Sequence, residues 1–376
     1  MEVYLDNSAT TKVCETAISY ATEALEQYWH NPSSLYKAGM DAERLIARTR
    51  TAVAKTLNCR DDEIFFVGCG TEANNTAIFG AAKHGKKRGN RIITTAIEHP
   101  SVLEPMKELE NQGFEVVRLK VDKSGKINEQ ELRDAINQNT ILVSIMLVNN
   151  ESGAIQPVKV AAEAIKEKSA PALLHCDAIQ AFGKIPIDVA KLGVDLLSIS
   201  GHKLHAPKGV GVLYKSKKVH IPPLLLGGGQ ENGFRSGTEA VPNIYALCGA
   251  IKELGSINER FNYIKELNEY GKAQLSKLDG IVFNSPEDAL PYIINISVLG
   301  YRSEILLHFL EAEGICVSSG SACSKGKASS VLTEMGIDRN RADSALRISI
   351  SRYNKKEDFD LLCNAIKKAQ ERLRKR

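Results

Sequence analysis

No apolar run in the chain approaches the roughly 20 residues a helix needs to cross a bilayer; the longest, such as residues 141–148, are of strand length. A protein that spans no membrane is therefore expected. The N-terminus places Glu2 and Asp6 where a secretory signal carries basic residues, and no long apolar stretch follows, so cytoplasmic residence is expected. No excess of one charge exists either: 49 Lys and Arg against 45 Asp and Glu leave a formal net charge of +4. That balance gives no electrostatic drive toward nucleic acid, and no direct nucleic-acid contact is expected. Only the tail 367–376 is strongly basic, and cations there suit the last turn of a helix as well as a polyanion. The eight cysteines include no C-x-x-C pair, so neither a zinc site nor a disulfide framework is signalled, and no metal is expected. Internal repeats and low-complexity linkers are absent as well.

What is present is an ordinary globular composition, 43% hydrophobic and 25% charged over 376 residues. That length exceeds a single compact core and predicts about two closely packed domains. Strand-like runs at 64–67, 91–95, 115–119, 141–147, 172–176 and 196–199 alternate with amphipathic helical patterns such as 71–83 and 158–168. This rhythm predicts βαβ units and an α/β domain with a large, mainly parallel sheet. After about Leu254 the texture changes to a charged helical stretch at 257–278, short strands near 292–298 and 345–350, and a final helix from Lys356. A smaller α+β domain is expected there. In parallel sheets ligands gather beyond the carboxyl ends of the strands, and the informative residues fall at those ends.

Lys203 follows an apolar strand among Gly201, His202 and Pro207, an awkward context for a solvated lysine. An amine held there can form an imine with a carbonyl compound if its pKa is lowered. Asp177 ends another apolar strand, where a carboxylate is costly without a cation or donors. A pyridinium nitrogen is such a cation, and pyridoxal phosphate enzymes pair one acidic residue with one imine-forming lysine. Taken alone, either residue fits a structural role better, because Lys and Asp commonly follow strands. Residues 66–75, FVGCGTEANN, place glycines after a strand and Thr71 and Glu72 at a helix start, an anion cradle. The rival GAAKHGKK at 80–87 ends in Lys87 where Ser or Thr must meet magnesium, and is set aside.

YLDNSATT (4–11), HNPSSLYKAG (30–39), GTEANN (70–75), EHPSVL (98–103), VNNESG (148–153), SGHK (200–203), GGGQENGFRSGT (227–238), SSGSAC (318–323) and LRISIS (346–351) occur in this order. Together they resemble the cysteine desulfurases, the NifS/IscS-like group of the class V aminotransferase family. The resemblance implies a fold-type I pyridoxal phosphate-dependent transferase. Its seven-stranded domain would cover residues 13–256, and a small domain 1–12 and 257–376. It implies that Lys203 binds pyridoxal 5'-phosphate covalently, that Asp177 holds the pyridine nitrogen protonated, and that Gln180 and Asn150 steer the phenolic oxygen. His99 would stack on the ring and exchange protons. Gly70, Thr71, Ser200 and His202 would bind the phosphate, Thr238 would reach the phosphate of a neighbouring subunit, which requires a homodimer, and Asn31 and Arg347 would hold the substrate carboxylate. Cys323, in a run of small residues suited to a moving loop, would attack the sulfur of bound L-cysteine, giving an enzyme persulfide and alanine. Thiolate is the attacking form, so Lys325, Lys327 or the substrate's own groups would assist.

The other cysteines read differently. Cys176 and Cys248 lie in apolar contexts and are expected in the core, whereas Cys69 stands where relatives carry glycine and raises a second reactive thiol. His202 and His205 have H-x-x-H spacing but no evident third ligand. Seven residues separate Cys323 from Val331, slightly fewer than in the housekeeping enzymes. The chain also ends at Arg376 without the segment those enzymes use to dock an iron-sulfur scaffold. The expected sulfur acceptor is accordingly a dedicated Fe-S scaffold or a tRNA-thiolation or cofactor-synthesis protein. Selenocysteine lyase, aminotransferase and non-catalytic sulfur-relay readings compete. Cys323 is superfluous in an aminotransferase, and a non-catalytic subunit has no need of Lys203 and Cys323 together.

Overall fold

A computed structural model of the chain describes residues 2–319 and 329–375. In chain order its first half runs β1 (Val3–Tyr4), α1 (Glu15–Gln27), α2 (Lys37–Leu57), β2 (Ile64–Val67), α3 (Gly70–Gly85), β3 (Arg91–Thr95), α4 (Pro100–Asn111), β4 (Glu115–Leu119), α5 (Glu129–Ala135), β5 (Thr140–Met146) and α6 (Val158–Glu167). There follow β6 (Leu173–Asp177), α7 (Val189–Leu192), β7 (Leu196–Ser200), β8 (Gly211–Lys215), α8 (Val241–Leu254), α9 (Ile257–Leu275), β9 (Ile281–Phe283), β10 (Ile293–Val298), α10 (Ser303–Ala312), β11 (Ile315–Cys316), α11 (Ser330–Glu334), α12 (Arg339–Asp343), β12 (Ala345–Ser349) and α13 (Lys356–Arg372). No helix among the described residues is long and apolar enough to cross a membrane.

Among the described residues the larger sheet has seven strands in the order β2-β8-β7-β6-β5-β3-β4. Neighbours from β7 to β4 are parallel, while β8 runs antiparallel to both β2 and β7. Every residue of β5 and of β7 is buried, the pattern of strands covered on both faces by helices. The expected α/β architecture and the strand positions are thus found, with ends shifted by a residue or so. β8 is an addition: its five residues follow the Lys203 motif closely and carry little periodicity of their own, so only pairing between β2 and β7 reveals it. Small residues let α3 pack closely, since a Cβ on Gly85 would meet Ile141 of β5 and one on Gly80 would meet Ile221 in the segment after β8.

The smaller sheet is antiparallel, β12-β10-β9, and α9, α10 and α13 pack beside it. The start of the chain belongs to this part: β1 pairs with β11, and Asp6 bridges to Ser349. Cys176 and Cys248 lie in the core as expected.

Where α9 crosses α13, Gly271 faces the Phe359 ring so closely that an added Cβ would overlap it, and Phe359 is fully buried. Gly271→Ala should destabilise the protein by about 1–3 kcal/mol through overpacking, read as a lower urea midpoint. An unchanged midpoint would show that the seam can open freely.

Candidate active site

The carboxyl ends of β3, β5, β6 and β7 lie side by side, with Met146 in register with Asp177 and Asp177 with Ser198. This alignment collects Glu98 and His99 after β3, Asn149 and Asn150 after β5, Asp177 on β6, and Ser200 to Lys203 after β7.

Asp177 is 5% exposed. Its Oδ2 accepts from Asn74 Nδ2 at 2.8 Å and its Oδ1 from the Ile179 N–H at 2.9 Å. Burial pushes its pKa up, against these donors and the nearby Lys203 cation. Asn74 Nδ2 also donates to Ser101 Oγ at 2.8 Å, and Ser101 Oγ lies 2.8 Å from His99 Nδ1, which accepts the Ser101 N–H at 3.1 Å as the cap of α4. His99 Nδ1 is therefore an acceptor and the ring carries its proton on Nε2. Burial, aided by Lys203, lowers the His99 pKa, with Asp177 opposing. A short relay joins Asp177, Asn74, Ser101 and His99.

Lys203 Nζ donates to the carbonyls of Ser8 at 2.5 Å and Ala9 at 2.8 Å, so the N-terminal segment floors the site. Thr11 fastens that segment through two bonds to the His202 carbonyl, one from its N–H and one from its hydroxyl. Gln180 Nε2 donates to the Ser8 carbonyl at 3.0 Å. His202 Nδ1 lies 3.2 Å from Thr10 Oγ1, and burial, then Lys203, lower its pKa to about 4. At the start of α3 the cap residue Cys69 offers no side-chain cap, which leaves the first helical amides, those of Gly70 and Thr71, to accept an anion. A Cβ on Gly70 would run into Ile179 and approach Ser200, so the cradle needs glycine there. Thr71 is exposed and Ser200 buried.

Arg347, on β12, is 4% exposed; its Nη2 pairs with Asp6 Oδ1 at 2.8 Å and its Nη1 donates to the Asn150 carbonyl at 3.0 Å, while Nε is buried without a partner among the described residues. Asn31 is exposed, its Oδ1 capping the Ser33 N–H at 2.9 Å, and among the described residues it makes no hydrogen bond to the Asp177 cluster. Thr238 is exposed beside a small cavity of about 110 Å3 that Gly68, Glu231 and Arg235 also line. Its segment is tied to the start of α3 by Arg235 on Glu72 and to α2 by Arg50 on Glu231, each 2.8 Å. Cys323, Lys325 and Lys327 lie outside the described residues. On either side of them, Ser318 exchanges two backbone bonds with Arg347, and the Ser329 hydroxyl donates to buried Glu151.

Sequence reasoning assigned nothing to Asn74, Asp6, Glu98, Glu151, Lys184 or the Ser8 carbonyl. Asn74, Glu98 and Glu151 stand inside the quoted motifs, but their burial is a tertiary fact. Burial raises the Glu151 pKa to about 7 and that of Glu98 to about 8.

This frame, a lysine and a buried aspartate meeting at the strand ends beside an uncapped helix, is that of a class-V aminotransferase. The family model for aminotransferase class-V matches residues 3–362, and the chain belongs to that family. Within it the chain falls in the NifS- and IscS-like cysteine desulfurase group: it is 41% identical to the cysteine desulfurase IscS of Methanosarcina thermophila over 99% of this chain and 93% of that protein. A solved NifS-like protein superposes with a TM-score of 0.94 at 38% identity, covering 99% of this chain and all of the other. SspA in complex with cysteine follows at 0.84 and 32% identity, covering 94% of this chain and 100% of that one. The resemblance read from the ordered motifs is thereby borne out.

Glu98 Oε1 accepts from Thr95 Oγ1 at 2.8 Å and the Met146 N–H at 2.9 Å, while Oε2 is buried without a partner among the described residues. Because its folded pKa is raised, the native state holds a proton that the unfolded chain releases. The stabilising contribution is full below the unfolded value of 4.5 and is lost as pH rises through about 8. Glu98→Gln should flatten the fall of unfolding free energy across that window by up to about 1.4 kcal/mol per pH unit. Equal slopes in urea titrations of the two proteins would contradict a protonated Glu98.

Proposed function

We propose that the chain is a pyridoxal phosphate-dependent cysteine desulfurase that turns L-cysteine into L-alanine and stores the sulfur as a persulfide on Cys323. The observation that carries this reading is the convergence of Lys203, His99 and buried Asp177 at the mouth of the sheet, in a chain whose relatives bear that name. The residues fit the cofactor. Asp177 is a buried carboxylate pushed above its ordinary range, so it gains most from a cationic ring nitrogen. The uncapped start of α3 with Gly70 suits a phosphate.

Lys203 would hold the aldehyde carbon, Asp177 the ring nitrogen, Gln180 and the Asn150 region the phenolic oxygen, and Gly70, Thr71, Ser200 and His202 the phosphate, with Thr238 contributed across a dimer. When bound, the cofactor supplies an electron sink that weakens bonds to the amino acid's α-carbon. His99, with Nδ1 occupied by Ser101, presents its Nε2 side, where a proton can be exchanged with the substrate amine. Arg347 and Asn31 would orient the substrate carboxylate, Arg347 exchanging or sharing its Asp6 contact. Cys323 thiolate attacks the substrate sulfur; the new S–S bond replaces the Cβ–S bond, whose electrons return to the substrate carbon and are protonated to the alanine methyl. The balance is L-cysteine plus enzyme thiol giving L-alanine plus enzyme persulfide. Cysteine as the ligand is supported by the SspA complex among the structural neighbours.

The division into residues 13–256 and residues 1–12 with 257–376 fits this reading, since the two parts meet where Arg347 donates to the Asn150 carbonyl and Lys203 to the Ser8 carbonyl. A homodimer would cover Trp29, Leu35, Tyr36, Met40 and the exposed leucines at 224–226, which flank Asn31 and the Thr238 motif in sequence. The sulfur acceptor is a protein, either an iron-sulfur scaffold or a tRNA-thiolation or cofactor-synthesis protein, in a cytoplasmic setting.

The purified protein should be yellow and should release alanine and, with a thiol reductant, sulfide from L-cysteine. Cys323→Ala should keep the visible band and lose sulfide release by at least about 100-fold, whereas Lys203→Ala should lose the band. Protein that stays colourless with added pyridoxal phosphate would reject the cofactor, and unchanged turnover in Cys323→Ala would reject its role.

A further inference from the structure

Lys184 lies four residues beyond Gln180 and is only 7% exposed, yet the proposed reaction gives it no task. Its Nζ donates to Gln180 Oε1 at 2.8 Å and stands 5.8 Å from the centroid of the Tyr292 ring. Among the described residues the other charged or titratable groups facing it are Lys203, Arg347, His202 and His205, with Arg260 and Arg352 around the same cavity of about 20 Å3. None of these is a carboxylate. Burial first, and then the positive charges of Lys203 and Arg347, bring the Lys184 pKa down to about 7. A cation in such a place weakens the fold, so its effect on Gln180, its acceptor among the described residues, matters.

That effect is orientation. The Ser8 carbonyl can only accept, so the Gln180 group facing it is the NH2, which leaves the carbonyl oxygen opposite Lys184, whose Nζ donates to it. One N–H reaches the Ser8 carbonyl at 3.0 Å, the same oxygen that accepts Lys203 Nζ at 2.5 Å. An unbroken run of contacts links Lys184, Gln180, the Ser8 carbonyl and Lys203. The second N–H of Gln180 remains for a ligand.

We infer that Lys184 is a positioning residue: through its contact with Oε1 it locks the Gln180 amide with the N–H side toward Lys203 and prevents the flip that would present a carbonyl oxygen there. The inference rests on the reading of Gln180 as a donor to the cofactor's phenolic oxygen. A donor at that oxygen favours its anionic form and lets the proton shared nearby leave at lower pH, whereas a carbonyl there would hold the proton more tightly.

The experiment reads the pH midpoint of the visible band of protein loaded with pyridoxal phosphate and free of substrate. Lys184→Met, a swap of similar length that removes a buried charge, should raise the midpoint by about one pH unit, the value of one charge-assisted hydrogen bond. Lys184→Arg keeps a donor-only cation and should stay within about 0.3 unit of the parent. In a Gln180→Ala background, Lys184→Met should add nothing. Lys184→Leu, a second neutral replacement, should raise the midpoint likewise, which keeps the test open if the Met variant fails to fold. An unmoved midpoint in folded Lys184→Met or Lys184→Leu would overturn the inference, as would an equal shift with and without the Gln180 amide. Parent protein that forms no band at all would instead sink the cofactor reading, and this inference with it.

Discussion

One buried carboxylate organises this molecule. Asp177 ends β6 with 5% exposure, and two neutral donors, Asn74 and the Ile179 N–H, do not offset the loss of water around a charge. Its raised pKa measures that deficit. The surroundings are arranged around it: Lys203 from the next strand, His99 from the strand beyond β5, and a relay through Asn74 and Ser101 that fixes which nitrogen of His99 carries the proton. A cationic ligand between Lys203 and Asp177 would relieve the deficit, which is why the site reads as a cofactor site and not as a structural ion pair.

The first eleven residues connect this centre to the smaller sheet. Their backbone receives Lys203 and Gln180 at Ser8, their Asp6 meets Arg347 across 341 positions of sequence, and Thr11 holds the carbonyl of His202. Contacts of such high separation form only when both parts of the fold are in place. The chain on either side of residues 320–328 is anchored to the same neighbourhood, through Arg347 at Ser318 and Glu151 at Ser329. Substrate recognition and sulfur removal would therefore share one junction.

Much of this was legible in the residues alone. Apolar runs placed six strands of the larger sheet, and the rule that ligands collect at carboxyl ends pointed to Lys203, Asp177 and the α3 start, which the structure does bring together. β8 was not legible, because five residues without alternation mean little until they pair. The roles of Ser8 and Ala9 lie in their main-chain carbonyls, to which a sequence is blind. Glu98 and Glu151 looked like ordinary motif acids, and only burial gives them raised pKa values. Lys184 follows a glycine in a loop, the usual setting of a solvated lysine. Its amide partner four residues earlier becomes meaningful only when both are enclosed.

The demand of Asp177 for a cation is tested most directly by Asp177→Asn, which keeps shape and removes charge. Loaded with pyridoxal phosphate, this variant should still develop a visible band through Lys203, while its turnover of L-cysteine to L-alanine falls by about 100- to 1,000-fold, the scale of one lost preorganised electrostatic contact. Turnover equal to the parent protein would contradict the account at its centre.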